Sequence, residues 1–186
     1  RGGTGMKITR AQMLEIVGDA NRVDRYLHYI NMWADTFEIN TPLRMAYFLG
    51  QVLHETNGLR QLKEVGKPAY FSKYDKGNLA KMLGNTQKGD GLKYRGRGFL
   101  MLTGRANYQA YQNSGFCKGD IMSQPELLET QNGSVKSGMW YWWKKGLNAL
   151  ADKDDILKVT KKVNGGTNGL SERTKWTDKC KKVLCV

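Results

Sequence analysis

The chain has 186 residues, of which 40% are hydrophobic and 25% are charged. A chain of this length is usually one globular domain, and this composition excludes an intrinsically disordered protein. Thirty Lys and Arg against seventeen Asp and Glu give a formal net charge of +13. Such a charge favours a polyanionic partner, which is a nucleic acid, a membrane surface or an anionic cell wall. The basic residues are scattered along the chain, so the charge alone does not choose among these partners.

Three cysteines, Cys117, Cys180 and Cys185, form no C-x-x-C pair, and with two histidines they supply no standard structural zinc site. We therefore expect no metal and no cofactor. Cys180 lies at helical spacing among apolar residues and is predicted to be a buried free thiol, with a disulfide to Cys117 as the alternative. No apolar run approaches the ~18–20 residues of a membrane span, so stable membrane insertion is not expected.

The N-terminal third of the chain predicts three helices. A capping box of Thr9 and Gln12 begins the first helix, which ends near Gly18. Apolar residues at helical spacing from Val23 to Phe37 predict the second. Pro42 stands at the first turn of the third, which extends to the stop signal at residues 57–58. Residues 1–5 resemble a tag remnant, and residues 6–186 are predicted to form a single domain.

The rest of the chain predicts loops followed by more helices. Residues 58–98 have many Gly, Lys and Asn without a sustained period, which indicates long loops around a site. Residues 94–103 predict at most a short β-hairpin. Helical signals return over residues 125–128, 135–146 and 154–166, and a last helix begins at Ser171, whose side chain is predicted to cap it. The predicted fold is mainly α, with long loops.

Glu55 is the first candidate for chemistry. It lies three residues after Val52 and seven after Phe48, so it continues the apolar stripe of the third predicted helix. Burial favours the neutral form of a carboxyl group and raises its pKa, which is what a general acid for glycosidic cleavage needs. The alternative is a half-buried carboxylate at a helix end that is paired with an Arg or Lys.

An inverting glycosidase needs a second carboxylate, about 6.5–9.5 Å from the acid. Glu64 is nearest in sequence, but nine residues on one helix rotate by about 900° and place the two side chains on opposite faces. The stop signal at residues 57–58 would let the chain fold back so that Glu64 faces Glu55. Asp75 and Asp90 remain alternatives for the second carboxylate.

Three segments resemble the signature motifs of glycoside hydrolase family 19, which comprises chitinases and many phage endolysins. They are residues 49–58 (LGQVLHETNG), 93–108 (KYRGRGFLMLTGRANY) and 163–169 (VNGGTNG). They occur in the family's order and spacing, and the resemblance covers about residues 43–173. It implies a lysozyme-like fold in which residues 6–186 form a single catalytic domain, with the short hairpin beside the active-site cleft.

The resemblance also implies a function for individual residues. Glu55 corresponds to the general acid, Glu64 to the catalytic base and Thr103 to the residue that holds the nucleophilic water. Five further residues are implied to bind substrate or line the groove: Tyr94, Asn107, Asn164, Arg97 and His54.

Structural alternatives exist for parts of these motifs. One alternative is that ion pairs within the fold explain Arg95, Arg97 and Arg105. Another is that residues 164–165 form a helix C-cap. A third is that a tight turn explains Gly96 and Gly98. The sequence departs from the family at Met101, where a Gln is usual. A methionine does not hydrogen-bond as an amide does, so one sugar contact is lost or supplied elsewhere.

We therefore expect a monomeric, inverting glycoside hydrolase of the endolysin type that cleaves the glycan strand of peptidoglycan. The spacing of Glu55 and Glu64 is that of the short, endolysin-like members, and the positive charge favours an anionic envelope. Chitin is the rival substrate. An inactive wall-binding module or a nucleic-acid binder is the alternative from another class, and no nucleic-acid motif supports the latter.

The expected site of action is the cell wall, on the periplasmic side. The N-terminus lacks the apolar segment of a secretory signal. Delivery through a phage-encoded membrane pore and delivery by a bacterial secretion system both fit this expectation.

Overall fold

The computed structural model describes residues 5–186, so the predicted tag remnant lies outside the described residues except for Gly5. Within this range the chain forms eleven α-helices, which confirms the mainly α fold. Their bounds are α1 Arg10–Val17, α2 Ala20–Trp33, α3 Pro42–Glu55, α4 Pro68–Phe71, α5 Gly77–Leu83, α6 Asp90–Lys93, α7 Arg105–Asn113, α8 Gln131–Lys144, α9 Leu147–Asp152, α10 Ile156–Asn164 and α11 Leu170–Val183. Short 3-10 turns occur at Ser72–Asp75 and Pro125–Glu129.

Helices α1 and α3 begin where the sequence predicts, and α2 begins at Ala20, three residues before the predicted apolar period. Thr9 and Gln12 form the reciprocal capping box of α1, and the helix ends at Gly18, which has a left-handed φ of 78°. Thr41 accepts a hydrogen bond from the Arg44 amide and caps α3 ahead of its first-turn proline. These local signals fix where α3 starts and therefore where its last residue, Glu55, emerges.

Helix α3 is the central helix of the core. Its nine residues from 45 to 53 are all buried, and it packs against α9, α10 and α11. The contact with α11 is close, because a Cβ atom at Gly50 would lie 2.0 Å from the Thr177 Oγ1 atom. Buried side chains of α1, α2, α8 and α11 join those of α3 in one hydrophobic cluster. Both ends of α3 reach the surface, Pro42 at the N-terminal end and Glu55 at the C-terminal end.

The prediction of long loops over residues 58–98 is wrong in part, because α4, α5, α6 and one 3-10 turn lie there. Helix α7 was not predicted at all. Four of these five elements have only four to seven residues, which is too short for an apolar period to be detected. Polar contacts hold them instead: the Asp75 carboxylate accepts hydrogen bonds from the Gly89 and Gly91 amides at 3.0 and 2.7 Å.

The predicted short hairpin is reduced to two isolated antiparallel bridges, which pair Arg97 with Lys63 and with Leu102. Ser171 does not cap the last helix. Helix α11 begins at Leu170, after Gly169 with a φ of 76°, and this N-terminus has no side-chain cap.

The three cysteines are free in the described residues, and Cys180 is buried as predicted. None of the helices described in residues 5–186 combines the length and the apolar character needed to span a bilayer.

Candidate active site

A cleft of about 730 Å³ lies between the helical core and the middle of the chain. One wall consists of the C-terminal ends of α3, α8 and α10, which present Glu55, Tyr141 and Asn164. The opposite wall consists of residues between 61 and 107, including Glu64 and Thr103. The structure therefore brings the two predicted carboxylates and the predicted water-holding threonine into the same cleft.

Glu55 is held by an arginine from the other end of the chain. Its Oε1 atom accepts a hydrogen bond from Arg173 Nη2 at 2.8 Å, and their side chains are 20% and 3% exposed. The same guanidinium donates to Gln51 Oε1 at 2.6 Å and to the Asn168 carbonyl at 3.0 Å. Glu55 is thus only partly desolvated, and it lies half-buried at a helix end beside an arginine, as the structural alternative predicts.

The chain reverses directly after Glu55. Asn57, Gly58 and Leu59 have φ values of 49°, 69° and 68°, so three consecutive residues are left-handed. The buried Thr56 stabilises this turn, since its hydroxyl donates to the Val52 carbonyl at 2.8 Å and accepts from the Leu59 amide at 2.9 Å. The predicted break at residues 57–58 is confirmed, and it allows Glu64 to reach the cleft.

Both oxygens of the Glu64 carboxylate have neutral donors. The Tyr74 hydroxyl donates to Oε2 at 3.0 Å, and the Gly96 amide donates to Oε1 at 3.3 Å. The Glu64 amide in turn donates to the Gly96 carbonyl at 2.7 Å, which fixes the backbone. These contacts orient the Glu64 carboxylate, which forms no ion pair among the described residues. No cation in direct contact therefore neutralises its negative charge.

Thr103 lies close to Glu64 because Gly96 leaves space between them. A Cβ atom at Gly96 would lie 3.1 Å from Thr103 Oγ1 and 3.5 Å from the Glu64 Cβ atom. The Thr103 hydroxyl donates to the Met101 carbonyl at 2.7 Å, so its oxygen is left to accept a hydrogen bond. Met101, the departure from the family pattern, also lines the cleft.

Asn107 and Asn164 also line the cleft. The Asn107 side chain donates to the Thr103 carbonyl at 2.9 Å, which leaves its amide oxygen without a partner in the described residues. Asn164 ends α10 and is followed by Gly165 at a left-handed φ of 81°. The C-cap interpretation is therefore confirmed, and the same cap exposes Asn164 to the cleft.

Tyr94 and Arg97 do not line the cleft, and these expectations are wrong. Tyr94 is 1% exposed, and its hydroxyl donates to the Met122 carbonyl. Arg97 is 6% exposed and forms a 2.9 Å ion pair with Glu129, as the structural alternative predicts. His54 is half-buried against Gly169 rather than in the cleft.

The alternative bases have structural partners. Asp90 is 2% exposed and pairs with Arg105 at 2.8 Å. Asp75 accepts hydrogen bonds from the backbone amides of Gly89 and Gly91. Glu64 is therefore the second carboxylate of the cleft.

The guanidinium of Arg95 lies 4.9 Å from the centre of the Phe71 ring and forms no ion pair in the described part of the chain.

Comparison with known proteins gives the family of the chain. It is 33% identical over 158 residues to a glycosyl hydrolase family 19 domain-containing protein of Haemophilus influenzae, covering 72% of this chain and 76% of that protein. The chain belongs to glycoside hydrolase family 19. It is therefore a glycosidase, and its chemistry is chitinase-like.

Further comparisons are consistent with the family 19 assignment. Chitinase 8 of Oryza sativa is 33% identical over 114 residues, which cover 61% of the chain and 40% of the rice protein. The crystal structure of chitinase C from Streptomyces griseus superposes with a TM-score of 0.76 at 20% identity, covering 100% of this chain and 96% of that one. A class IV chitinase from Zea mays superposes with a TM-score of 0.58 at 18% identity, over 100% and 87% of the chains. No protein-family model matches the sequence.

Several cleft residues of the family 19 chain were not predicted from the sequence. Arg173 and Tyr74 hold the two carboxylates, and Tyr141, Lys145 and Lys162 line the cleft. One signal was available: Gln51 lies four residues before Glu55, so a buried polar side chain shares the helix face of the acid and requires a partner. That partner is Arg173.

Burial and charge perturb three titratable groups near the carboxylates. Burial raises the pKa of the Tyr74 hydroxyl, and hydrogen bonding to Tyr70 and the Glu64 charge raise it further. Burial also raises the pKa of Tyr141, and the Glu55 charge adds to this shift. Burial and the nearby Arg173 lower the pKa of His54. Both tyrosines and His54 are therefore neutral at pH 7.

Proposed function

We propose that this family 19 glycosidase hydrolyses the glycan strand of bacterial peptidoglycan by an inverting mechanism. The observation that carries the proposal is the charge of the cleft lining beside the acid. Lys145 and Lys162 lie on the wall that presents Glu55, and Lys63 lies on the wall of Glu64. Peptidoglycan strands bear free carboxylates on their stem peptides, and on the lactyl group where the peptide is absent, whereas chitin is neutral.

The two lysines beside Glu55 are available for such a substrate. Neither Lys145 nor Lys162 has a carboxylate within 4 Å among residues 5–186, and both are exposed. Lys63 lies 3.7 Å from Glu129, so its charge is partly compensated. Two uncompensated cations on one wall attract an anionic strand and orient it across the carboxylates.

The contacts of the cleft residues suggest how each step proceeds. Arg173 occupies Glu55 Oε1, so the proton that Glu55 donates to the leaving glycosidic oxygen is held on Oε2. Proton transfer leaves a carboxylate, which the guanidinium then stabilises. The attacking water donates one hydrogen to Thr103 Oγ1 and the other to Glu64, and its lone pair faces the anomeric carbon. Glu64 takes the proton as the bond forms.

Chitin is the second candidate substrate. The names of the rice and Streptomyces relatives identify them as chitinases, and both polymers contain N-acetylglucosamine. Hydrolysis of chitin would require Glu55 and Glu64 in the same functions but no lysine. Variants of the lysines should therefore affect hydrolysis of the two polymers differently, whereas variants of the carboxylates should affect both.

The catalytic assignment is tested with Glu55→Gln. We expect hydrolysis of purified peptidoglycan to fall below detection, because an amide N–H is too weak an acid to transfer a proton to the leaving oxygen, while the circular dichroism spectrum stays that of the wild type. Mass spectrometry of the products identifies the bond that is cut. Wild-type activity in Glu55→Gln would refute the assignment.

The substrate assignment is tested with a double variant, Lys145→Met with Lys162→Met. We expect kcat/KM for peptidoglycan to fall by up to about 30-fold, since each exposed charge pair contributes about 0.2–1 kcal/mol. Hydrolysis of uncharged chitin oligosaccharides should not change. The matched control replaces the adjacent exposed lysines, Lys144→Met with Lys161→Met, which do not line the cleft. Equal losses in both double variants, or equal losses on both substrates, would contradict the proposal.

A further inference from the structure

A second, smaller pocket of about 80 Å³ lies at the other end of α8 from the cleft. Its apolar part is formed by Tyr111, Ile121, Leu127 and Leu128. The N-terminal residues of α8 line it, whereas Tyr141 and Lys145 near the C-terminal end of α8 line the cleft. The helix rises by 1.5 Å per residue, so the two sites lie on the order of 13 Å apart along α8.

The mouth of this pocket is rich in hydrogen-bond donors. The amide N–H of Asn132, in the first turn of α8, has no acceptor in the described part of the chain. The Asn132 side-chain oxygen accepts from Trp33 Nε1 at 2.7 Å, which turns its free NH₂ group away from the indole. The positive end of the α8 dipole adds to the preference for negative charge.

Lys136 is the second and independent indication of a ligand. It lines the pocket one turn after Asn132, is 6% exposed, and its ammonium has neither a hydrogen-bond acceptor nor a carboxylate within 4 Å among residues 5–186. Its Nζ atom lies 3.9 Å from the centre of the Trp33 ring, whose face compensates only part of the ammonium charge. Burial and the nearby Lys118 lower the pKa of Lys136.

No Asp or Glu lines the pocket in the described structure. Three carboxylates stand next to lining residues in sequence, namely Asp120, Glu126 and Glu129. Asp120 accepts hydrogen bonds from Ser123 and from the Met122 amide, Glu129 pairs with Arg97, and Glu126 is exposed. Lys118 also lines the mouth, so two cations and a helix N-terminus converge there without an anion. A bound anion would accept a hydrogen bond from the free amide and pair with the Lys136 ammonium.

We propose that this pocket binds a carboxylate group carried on a short aliphatic chain. The donors at the mouth hold the carboxylate, and the apolar side chains accept the alkyl part. A fully hydrated inorganic anion such as phosphate has no apolar part to place against that surface. This proposal goes beyond the glycosidase function and does not depend on the cleft.

Propionate is the probe for this site, and nuclear magnetic resonance of ¹⁵N-labelled protein is the measurement. We expect saturable shifts of the Asn132 and Gly133 amides with sodium propionate and none with propionamide, which has the same shape without the charge. In Lys136→Met the dissociation constant should rise by about tenfold or more. The matched control is Lys179→Met, because Lys179 also lies over a tryptophan, 5.6 Å from the centre of the Trp176 ring, but is exposed.

Thermal denaturation gives a second measurement. Saturating propionate should raise the Tm of the wild type and not that of Lys136→Met. Asn132→Asp keeps the acceptor for Trp33 but places a negative charge at the mouth, so it should abolish binding even if Lys136→Met fails to fold. Equal shifts with propionamide, unchanged binding in either variant, or tighter binding of phosphate than of propionate would overturn the proposal.

Discussion

Replacement of Arg173 by Met is the perturbation that most directly tests how the acid is held. The arginine side chain is 3% exposed and donates to Glu55, Gln51 and the Asn168 carbonyl. Methionine fills a similar volume with a flexible, unbranched chain, so the change removes the donors while limiting the cavity. It leaves a carboxylate and a buried amide oxygen without their shared partner.

The expected loss of stability follows from the exposure of the groups. Removing one partner of a buried ion pair costs about 3–5 kcal/mol. Glu55 is 20% exposed and can be partly hydrated, so we expect the lower end, about 3 kcal/mol. The Gln51 contribution is not added, since both acceptors lose the same donor. In a chain of this length about 3 kcal/mol corresponds to a fall in Tm of roughly 6–12 °C.

Urea unfolding measures this loss as a change in midpoint at constant m. The matched control is Arg10→Met, because the Arg10–Asp24 pair has the same 2.8 Å separation but side chains that are 54% and 52% exposed. That exposed pair should contribute much less than the buried one, because water solvates both of its side chains. A double-mutant cycle with Glu55→Gln isolates the pairwise free energy, which we expect to exceed 1 kcal/mol. A free energy of unfolding for Arg173→Met within about 0.5 kcal/mol of the wild-type value would refute the conclusion that the pair is a buried one.

Three further outcomes are expected. Thr103→Val removes the acceptor for the attacking water and should lower kcat on the order of 100-fold with little change in KM, and an unchanged kcat in steady-state assays would contradict its function. Gly50→Ala should reduce the free energy of unfolding by about 1–3 kcal/mol, because the new Cβ would lie 2.0 Å from Thr177 Oγ1, whereas tolerance of the change in urea unfolding would contradict the close packing. Asp90 is buried, which raises its pKa, but Arg105 and two backbone amides outweigh burial and lower it overall. Its contribution to stability is therefore present above about pH 4 and lost as the pH falls through the folded pKa, so the Tm of the wild type should fall more steeply below pH 4 than that of Asp90→Asn.

The sequence predicted most reliably what local signals determine. The capping box at Thr9 and the prolyl first turn of α3 fixed two helix starts, and the stop signal at residues 57–58 predicted the reversal that brings Glu64 into the cleft. It failed where contacts distant in sequence decide the structure. The four-residue α6 depends on Asp90, which pairs with Arg105 from the start of α7. The pairing of Glu55 with Arg173 joins residues 118 positions apart, and the local signal at Gln51 indicates that a partner is required but not which residue supplies it.

The family motifs predicted where residues lie in the chain better than what they do. Glu55 and Thr103 line the cleft, whereas Tyr94 and Arg97, from the same segment as Thr103, are buried beneath it. Arg97 bonds to the Lys93 carbonyl and to Glu129, so it fixes the strand-like segment from which Gly96 and Thr103 reach Glu64. A motif therefore combines residues that contact substrate with residues that hold the backbone in place. Burial separates the two groups, because a side chain that is 1% or 6% exposed has no surface left for a sugar.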